Sequence, residues 1–224
     1  MSKYLKYLVA ASAVIVAGQV QAAVSTYSNE AAFGAAAPAG ATFESFETAV
    51  AGTTSVSFTG GTFSCSGSAY CPGFFGINTD LANTGSQSVF FASPDSATFT
   101  FDTPINAFGI MIGGAGDVAP ITLDALLSNG DSAAALTDYS GSFWVFNTNA
   151  GGGASDGPNQ QYFGVIDTTP FTSVTFKPSN IDDGIFFDSM TYGASGTPIP
   201  EPATLTLLGL ALGGLGFMSR KKAA

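Results

Sequence analysis

The chain has 224 residues, a formal net charge of −10 and no histidine. Between Ala23 and Thr197 one cation, Lys177, stands against fifteen acids, a net charge of −14 that repels nucleic acid and anionic lipid and leaves divalent cations and neutral sugars as partners. Twenty Phe, several in adjacent pairs, set it apart from disordered acidic chains, which cannot bury a core.

The N-terminus reads as an export signal. Lys3 and Lys6 form a positive n-region, Leu8 to Gly18 an apolar h-region and Val20-Gln21-Ala22 an A-x-A-like cleavage site. Residues 1–22 are therefore expected to be a signal helix removed on export, with the mature chain starting at Ala23. Residues 23–197 then make one domain of about 175 residues, long enough for a real core. Its first element is a short helix, Asn29 to Ala36, with Ser28 as N-cap and Pro38 and Gly40 as its stop.

Everything after that helix reads as strand and turn. β-Branched or aromatic runs bounded by Gly, Pro, Asn and Asp fall at 41–47, 55–59, 88–92, 97–101, 105–112, 121–128, 132–139, 143–146, 162–167, 172–177 and 184–192. Asn129-Gly130 predicts a type I′ hairpin, with positive φ at both central residues. Eleven short strands with frequent turn signals give the fold class: all-β, an antiparallel β-sandwich of jelly-roll type. The Gly-rich stretch from Ala150 to Pro158 reads as a loop at one end of it.

Alternation locates the core. Phe99 and Phe101 share one face of their strand, as do Val174 and Phe176 of theirs, and each buried Phe contributes roughly 1.5–3 kcal/mol. In Phe90-Phe91 and Phe186-Phe187 the two rings must point to opposite faces. Those strands are either covered on both sides or expose one ring.

The two cysteines, Cys65 and Cys71, lie close together in CSGSAYC. In an oxidising, exported setting such a pair reads as a disulfide, worth roughly 2 kcal/mol by chain entropy. Metal binding is the competing reading, weakened by the absence of histidine and of a second Cys pair.

Catalysis has little to work with. Without histidine there is no Ser-His-Asp or Cys-His arrangement. Glu44 and Glu47 are the close glutamates, but their odd separation on a regular strand sends them to opposite faces, so they cannot flank one glycosidic bond without a bulge. The expectation is that the protein is not an enzyme.

The chain ends on its most informative stretch, residues 198–224. Pro198, Pro200 and Pro202 make a stiff spacer, Ala203 to Ser219 an uncharged apolar run of 17 residues, and Arg220, Lys221 and Lys222 a basic stop. Seventeen residues at about 1.5 Å each lie at the lower limit for a transmembrane helix, and three terminal cations place the chain before them outside the cytoplasm. Pro200-Glu201-Pro202 followed by Ala203-Thr204, a Leu/Gly/Ala helix and a basic end resembles the PEP-CTERM sorting signal of Gram-negative bacteria. That resemblance implies an inner-membrane exosortase as partner, with Glu201 and its flanking prolines as the recognised element.

FESFETAVAGT near the start of the domain and PFTSVTF with DDGIFFDSMTYG at its end are similar to β-sandwich domains of proteins bearing this tail, and more loosely to jelly-roll carbohydrate-binding modules. In such modules an early acid and a late acid share a structural Ca²⁺. Carried over, the early one is Glu47 and the late one Asp188, and the chemistry suits Ca²⁺, which takes six to eight oxygen ligands. No other cofactor is implied. Two functions follow as expectations: a structural protein of the cell surface or the exopolysaccharide matrix, delivered by secretion machinery and exosortase, or a module binding extracellular polysaccharide. For the second, Trp144, Tyr139 and Tyr162 are the candidates to stack on sugar rings.

Overall fold

A computed structural model describes residues 24–52, 54–67, 75–78, 85–92, 95–116, 118–141, 160–179 and 183–194, the segment 75–78 by its backbone. All lie in one compact unit, Ala23–Gly196. The elements run β1 (Val24–Tyr27), α1 (Glu30–Ala36), β2 (Thr42–Glu44), β3 (Val50–Ala51), β4 (Ser55–Phe58), β5 (Gly61–Ser66), β6 (Phe75–Asn78), β7 (Ser88–Ala92), β8 (Ser96–Gly113), β9 (Ile121–Leu127), β10 (Ser132–Tyr139), β11 (Gln160–Pro178) and β12 (Gly184–Gly193).

Two long strands carry the architecture. β8 and β11 pair antiparallel over nearly their whole lengths, with Val165 opposite Phe108 in one half and Val174 opposite Phe99 in the other. Between the halves the register jumps twice, so that residues 167–170 of β11 and 101–104 of β8 leave the regular ladder. Pro104 and Pro170 sit in those excursions, where a missing N–H costs no ladder bond. Here the sheet folds over. One layer holds β6, β7, β12, the 107–113 half of β8, the 160–166 half of β11, and β1, with β2 beside β12. The other holds β10, β9, the remaining halves of β11 and β8, then β5, β4 and β3. The result is an antiparallel β-sandwich that does not close.

Phenylalanine fills the space between the layers. Phe99 and Phe176 of the second layer meet Phe187 of the first at ring-centroid separations of 5.4 and 4.7 Å, and Phe108 lies 5.7 Å from Phe99. The alternation read from the sequence holds: Phe99, Phe101, Val174 and Phe176 are all buried in this core. A smaller cluster lies on the outer side of the first layer, where Phe33 of α1 packs on Ala107, Met111 and Tyr162. Gly109 and Gly164 make room for it, since a Cβ on either would come within 2.8 and 2.6 Å of the Phe33 ring.

Three local expectations are corrected. The N-cap of α1 is Asn29, not Ser28: its Oδ1 accepts from Ala32 N at 3.0 Å. The 129–130 turn is not type I′, because Gly130 takes positive φ, 99°, and Asn129 does not. Leu127 O instead accepts from Gly130 N, and Leu127 N donates to Asp131 O, giving a three-residue loop whose glycine occupies the left-handed position. The runs at 97–101 and 105–112 are one strand, as are those at 162–167 and 172–177. The expected strand at 143–146 lies outside the described residues. Among the described residues no helix is long and apolar enough to cross a membrane; the signal segment and the tail lie outside them.

Candidate functional site

The first layer has an outward face that α1 covers only in part. Cross-strand partners share a face, so the register sorts its side chains into rows. One row runs Phe90, Phe186, Gly113, Gln160 across β7, β12, β8 and β11. The next holds Asp188, Met111 and Tyr162, with Ser88 at the same end of β7. A third holds Phe43, Thr191, Gly109 and Gly164. The step from the second row to the third depends on Ser189, whose φ of 51° marks a one-residue bulge. That residue switches the strand's parity: Phe187 before it and Met190 after it both face the core.

Phe90 and Phe186 stack at 5.7 Å and 28°, on the opposite side of the sheet from the parallel core pair Phe91 and Phe187. The Phe186 ring rests on the backbone of Gly114 and is buried, whereas Phe90 is partly buried. Phe43 is 54% exposed. Three side-chain oxygens of this face, Ser88 Oγ, Gln160 Oε1 and Tyr162 Oη, are buried without a hydrogen-bond partner. An unmet buried polar atom costs roughly 1–3 kcal/mol, so such atoms mark strain or a missing partner.

The residues expected to hold a cation lie beside this face. Glu47 clamps the turn before β7: its Oε1 accepts from the N–H groups of Ser86 and Gln87, both at 2.8 Å, and its Oε2 from the Ser86 hydroxyl at 2.9 Å. Partial burial pushes its pKa up, but the two backbone donors and the hydroxyl outweigh that and hold it below the ordinary value. Asp188 is buried on β12 and accepts from Ser189 N at 2.6 Å. Phe187 is the last β12 residue paired with β7, opposite Val89, so Ser88 and Asp188 follow at one end of the same ladder and Gln87 precedes Ser88. Gln87 Oε1 is another buried oxygen without a partner. This set of two carboxylates, an amide carbonyl and a hydroxyl is all oxygen and fits a hard cation in kind. Among the described residues no group of three or more acidic or sulfur ligands is poised for a metal.

Of the three stacking candidates, Tyr162 is corrected. It is 7% exposed beneath Phe33, 5.8 Å between centroids, and offers no ring to a ligand. Burial first, then the charge of Glu30, raises its pKa above the ordinary tyrosine range. Tyr139 is half-buried against the main core, and Trp144 lies outside the described residues. Cys65 sits on β5 opposite Ala97 and holds no free thiol; Cys71 lies outside the described residues. What the sequence reading missed is Phe43, Phe90 and Phe186. The signal for the last two was present, since adjacent Phe pairs on a strand must send one ring outward.

A second acid pair lies in the other half of the molecule. Asp167 is fully buried: its Oδ1 accepts from Thr169 N and its Oδ2 from Asn129 Nδ2, each at 2.8 Å. Asp131, at the tip of the β9–β10 hairpin, hydrogen-bonds to the Asp167 carboxyl, which together with desolvation and the Asp167 charge raises its pKa.

Residues 198–222 match the PEP-CTERM protein-sorting motif. The motif implies a protein exported to the cell envelope of a Gram-negative bacterium and processed by an exosortase. Among curated proteins none matches in sequence. Among solved structures, the CBM22-1 xylan-binding domain of Xyn10C from Paenibacillus barcinonensis is similar at 13% identity and a TM-score of 0.39, over 72% of this chain and 98% of that one. A family 29 carbohydrate-binding module is similar at 11% identity and 0.37, over 75% and 99%. The C-terminal family 22 module of Clostridium thermocellum Xyn10B follows at 11% and 0.36, over 70% and 93%. At this level of identity and overlap the likeness assigns neither ligand nor role.

Proposed function

We propose that this chain is an exported structural protein of the cell surface or exopolysaccharide matrix, delivered by its tail and persisting as its sandwich. The observation that carries the reading is the sorting motif at residues 198–222. In it Pro200, Glu201 and Pro202 are what the exosortase recognises, Arg220, Lys221 and Lys222 halt translocation at the inner membrane, and residues 23–197 are the cargo left after the signal peptide is removed. A Cys65–Cys71 bond closes a short loop at the end of β5 and suits the oxidising side of the membrane. In this reading the domain acts without catalysis, since a chain without histidine has no Ser-His-Asp or Cys-His arrangement. Mass spectrometry of the mature C-terminus after fractionation is the test. The expected product ends within or before the sorting motif; an intact end at Ala224 in the inner membrane makes the tail an ordinary anchor and overturns the reading.

A second reading is binding of extracellular polysaccharide. What favours it is the outward face of the first layer, which shows phenylalanine rings and unmet buried oxygens where a purely structural sheet has no use for them. Calcium belongs to either version, held by Glu47 and Asp188 with the Gln87 and Ser88 oxygens beside them.

A further inference from the structure

Among the described residues, the outward face holds phenylalanine rings and a buried amide oxygen that the main core does not use. Phe90 is only partly buried although its neighbour Phe91 is fully buried, and its inner side is backed by Phe186. Phe43 stands on the same face two rows away, on the order of 13 Å at the rise of a strand. Along the line of β7 and β2, both of which flank β12 on the same side, Ser88 lies between these two rings, with its hydroxyl unbonded. Across the sheet from Phe90, in the same row, Gln160 Oε1 is unbonded as well, and only the bare backbone of Gly113 lies between Gln160 and Phe186.

Charge narrows the ligand. Lys177, the one cation of the domain, lies on β11 opposite Asp124 in the other layer, so nothing on this face attracts an anion. Glu47 and Asp188 border it and repel one. Phenyl rings without a polar handle suit the C–H face of a sugar ring, and unmet hydroxyl and amide oxygens suit its hydroxyls. We infer that this face is a binding site for an uncharged polysaccharide, in which Phe90 and Phe43 are the stacking rings, Gln160 orients the chain beside Phe90, and Phe186 is a positioning residue that holds Phe90. The inference rests on the polysaccharide-binding reading above and replaces Tyr162 as its contact.

Affinity electrophoresis of the purified full-length chain separates the two claims. The gels contain hydroxyethylcellulose, galactomannan or soluble xylan as neutral polymers and alginate as an anionic one, with melting curves run in parallel. The expected result is retardation by at least one neutral polymer and none by alginate. Phe90→Ala and Phe43→Ala should each weaken it at least tenfold, Gln160→Ala severalfold, and Leu126→Ala, at an exposed position of the other layer, should not change it. Because Phe43 is exposed, its variant reports even if Phe90→Ala fails to fold. No retardation of the folded parent by any neutral polymer overturns the polysaccharide reading itself. Retardation that persists in Phe43→Ala and Gln160→Ala overturns this site while leaving that reading standing, and self-association lost in Phe43→Ala shows a contact between copies instead.

Discussion

Single carboxylates in this protein do opposite things according to what faces them. Glu44 ties β2 to the turn after β4, its two oxygens accepting from Phe46 N at 2.7 Å and Thr59 N at 3.0 Å, and so holds the fully buried Phe46 at a φ of 60° that few non-glycine residues adopt. Glu47 has a lowered pKa because its partners are all donors, so its contribution is present above the ordinary carboxylate range and fades as pH falls through the lowered value. Asp131 has a raised pKa because its partner is another acid. Its contribution is complete while it is protonated, below about pH 4, and is lost as pH rises through the raised value. Asp131→Asn keeps a donor toward Asp167 without needing the proton. The variant is therefore expected to melt higher than the parent at pH 7 and at the same temperature near pH 3.5. Parallel melting curves across that range would show that Asp131 gains nothing from protonation in the folded state.

Elements were legible where the sequence alone carries the alternation, and illegible where tertiary pairing supplies it. β7, β9 and β12 were read because their Val, Ile, Leu and Phe alternate or run together, and β10 because Asn129-Gly130 marks a hairpin turn back from β9. β1, β3, β5 and β6 were not: VSTY and VA are short, and GTFSCS has one aromatic among small polar residues and is a strand because β4 and β8 flank it. In sequence Pro104 and Pro170 divide β8 and β11 into two runs each, since nothing local says that a proline sits in a ladder excursion. Helix α1 is legible to within one residue, but neither its N-cap nor its destination is, and Tyr162 lies beneath Phe33. That docking makes its own prediction. Gly164→Ala puts a Cβ 2.6 Å from the Phe33 ring and is expected to cost about 1–3 kcal/mol by overpacking, and Phe33→Ala about 3–5 kcal/mol by leaving a cavity. In the double variant the new methyl occupies part of that cavity, so urea melts should show a total well below the sum of the two. Strict additivity would mean that α1 does not rest on Gly164.

At the scale of the whole molecule the dominant fact is a net charge of −14 on the exported domain, which pushes the folded chain apart. Any salt relieves that repulsion, so a gain in stability on adding calcium chloride does not by itself identify a site. Screening depends on ionic strength and continues to grow with it, whereas a bound ion saturates and stabilises by RT ln(1 + [L]/Kd), about 2.7 kcal/mol at a hundred times Kd. Melting at a constant ionic strength of about 0.15 M, with calcium exchanged for sodium, removes the first effect. The expectation is a rise that levels off by about 1 mM Ca²⁺ relative to EDTA, and a smaller one with Mg²⁺, which demands a tighter octahedron than a turn and two strand ends provide. Glu47→Gln should abolish the calcium increment yet keep the ordinary response to sodium chloride, because the charge of the rest of the domain is unchanged. Equal melting temperatures in Ca²⁺ and EDTA would leave Glu47 as a clamp of the Ser86–Gln87 turn and nothing more.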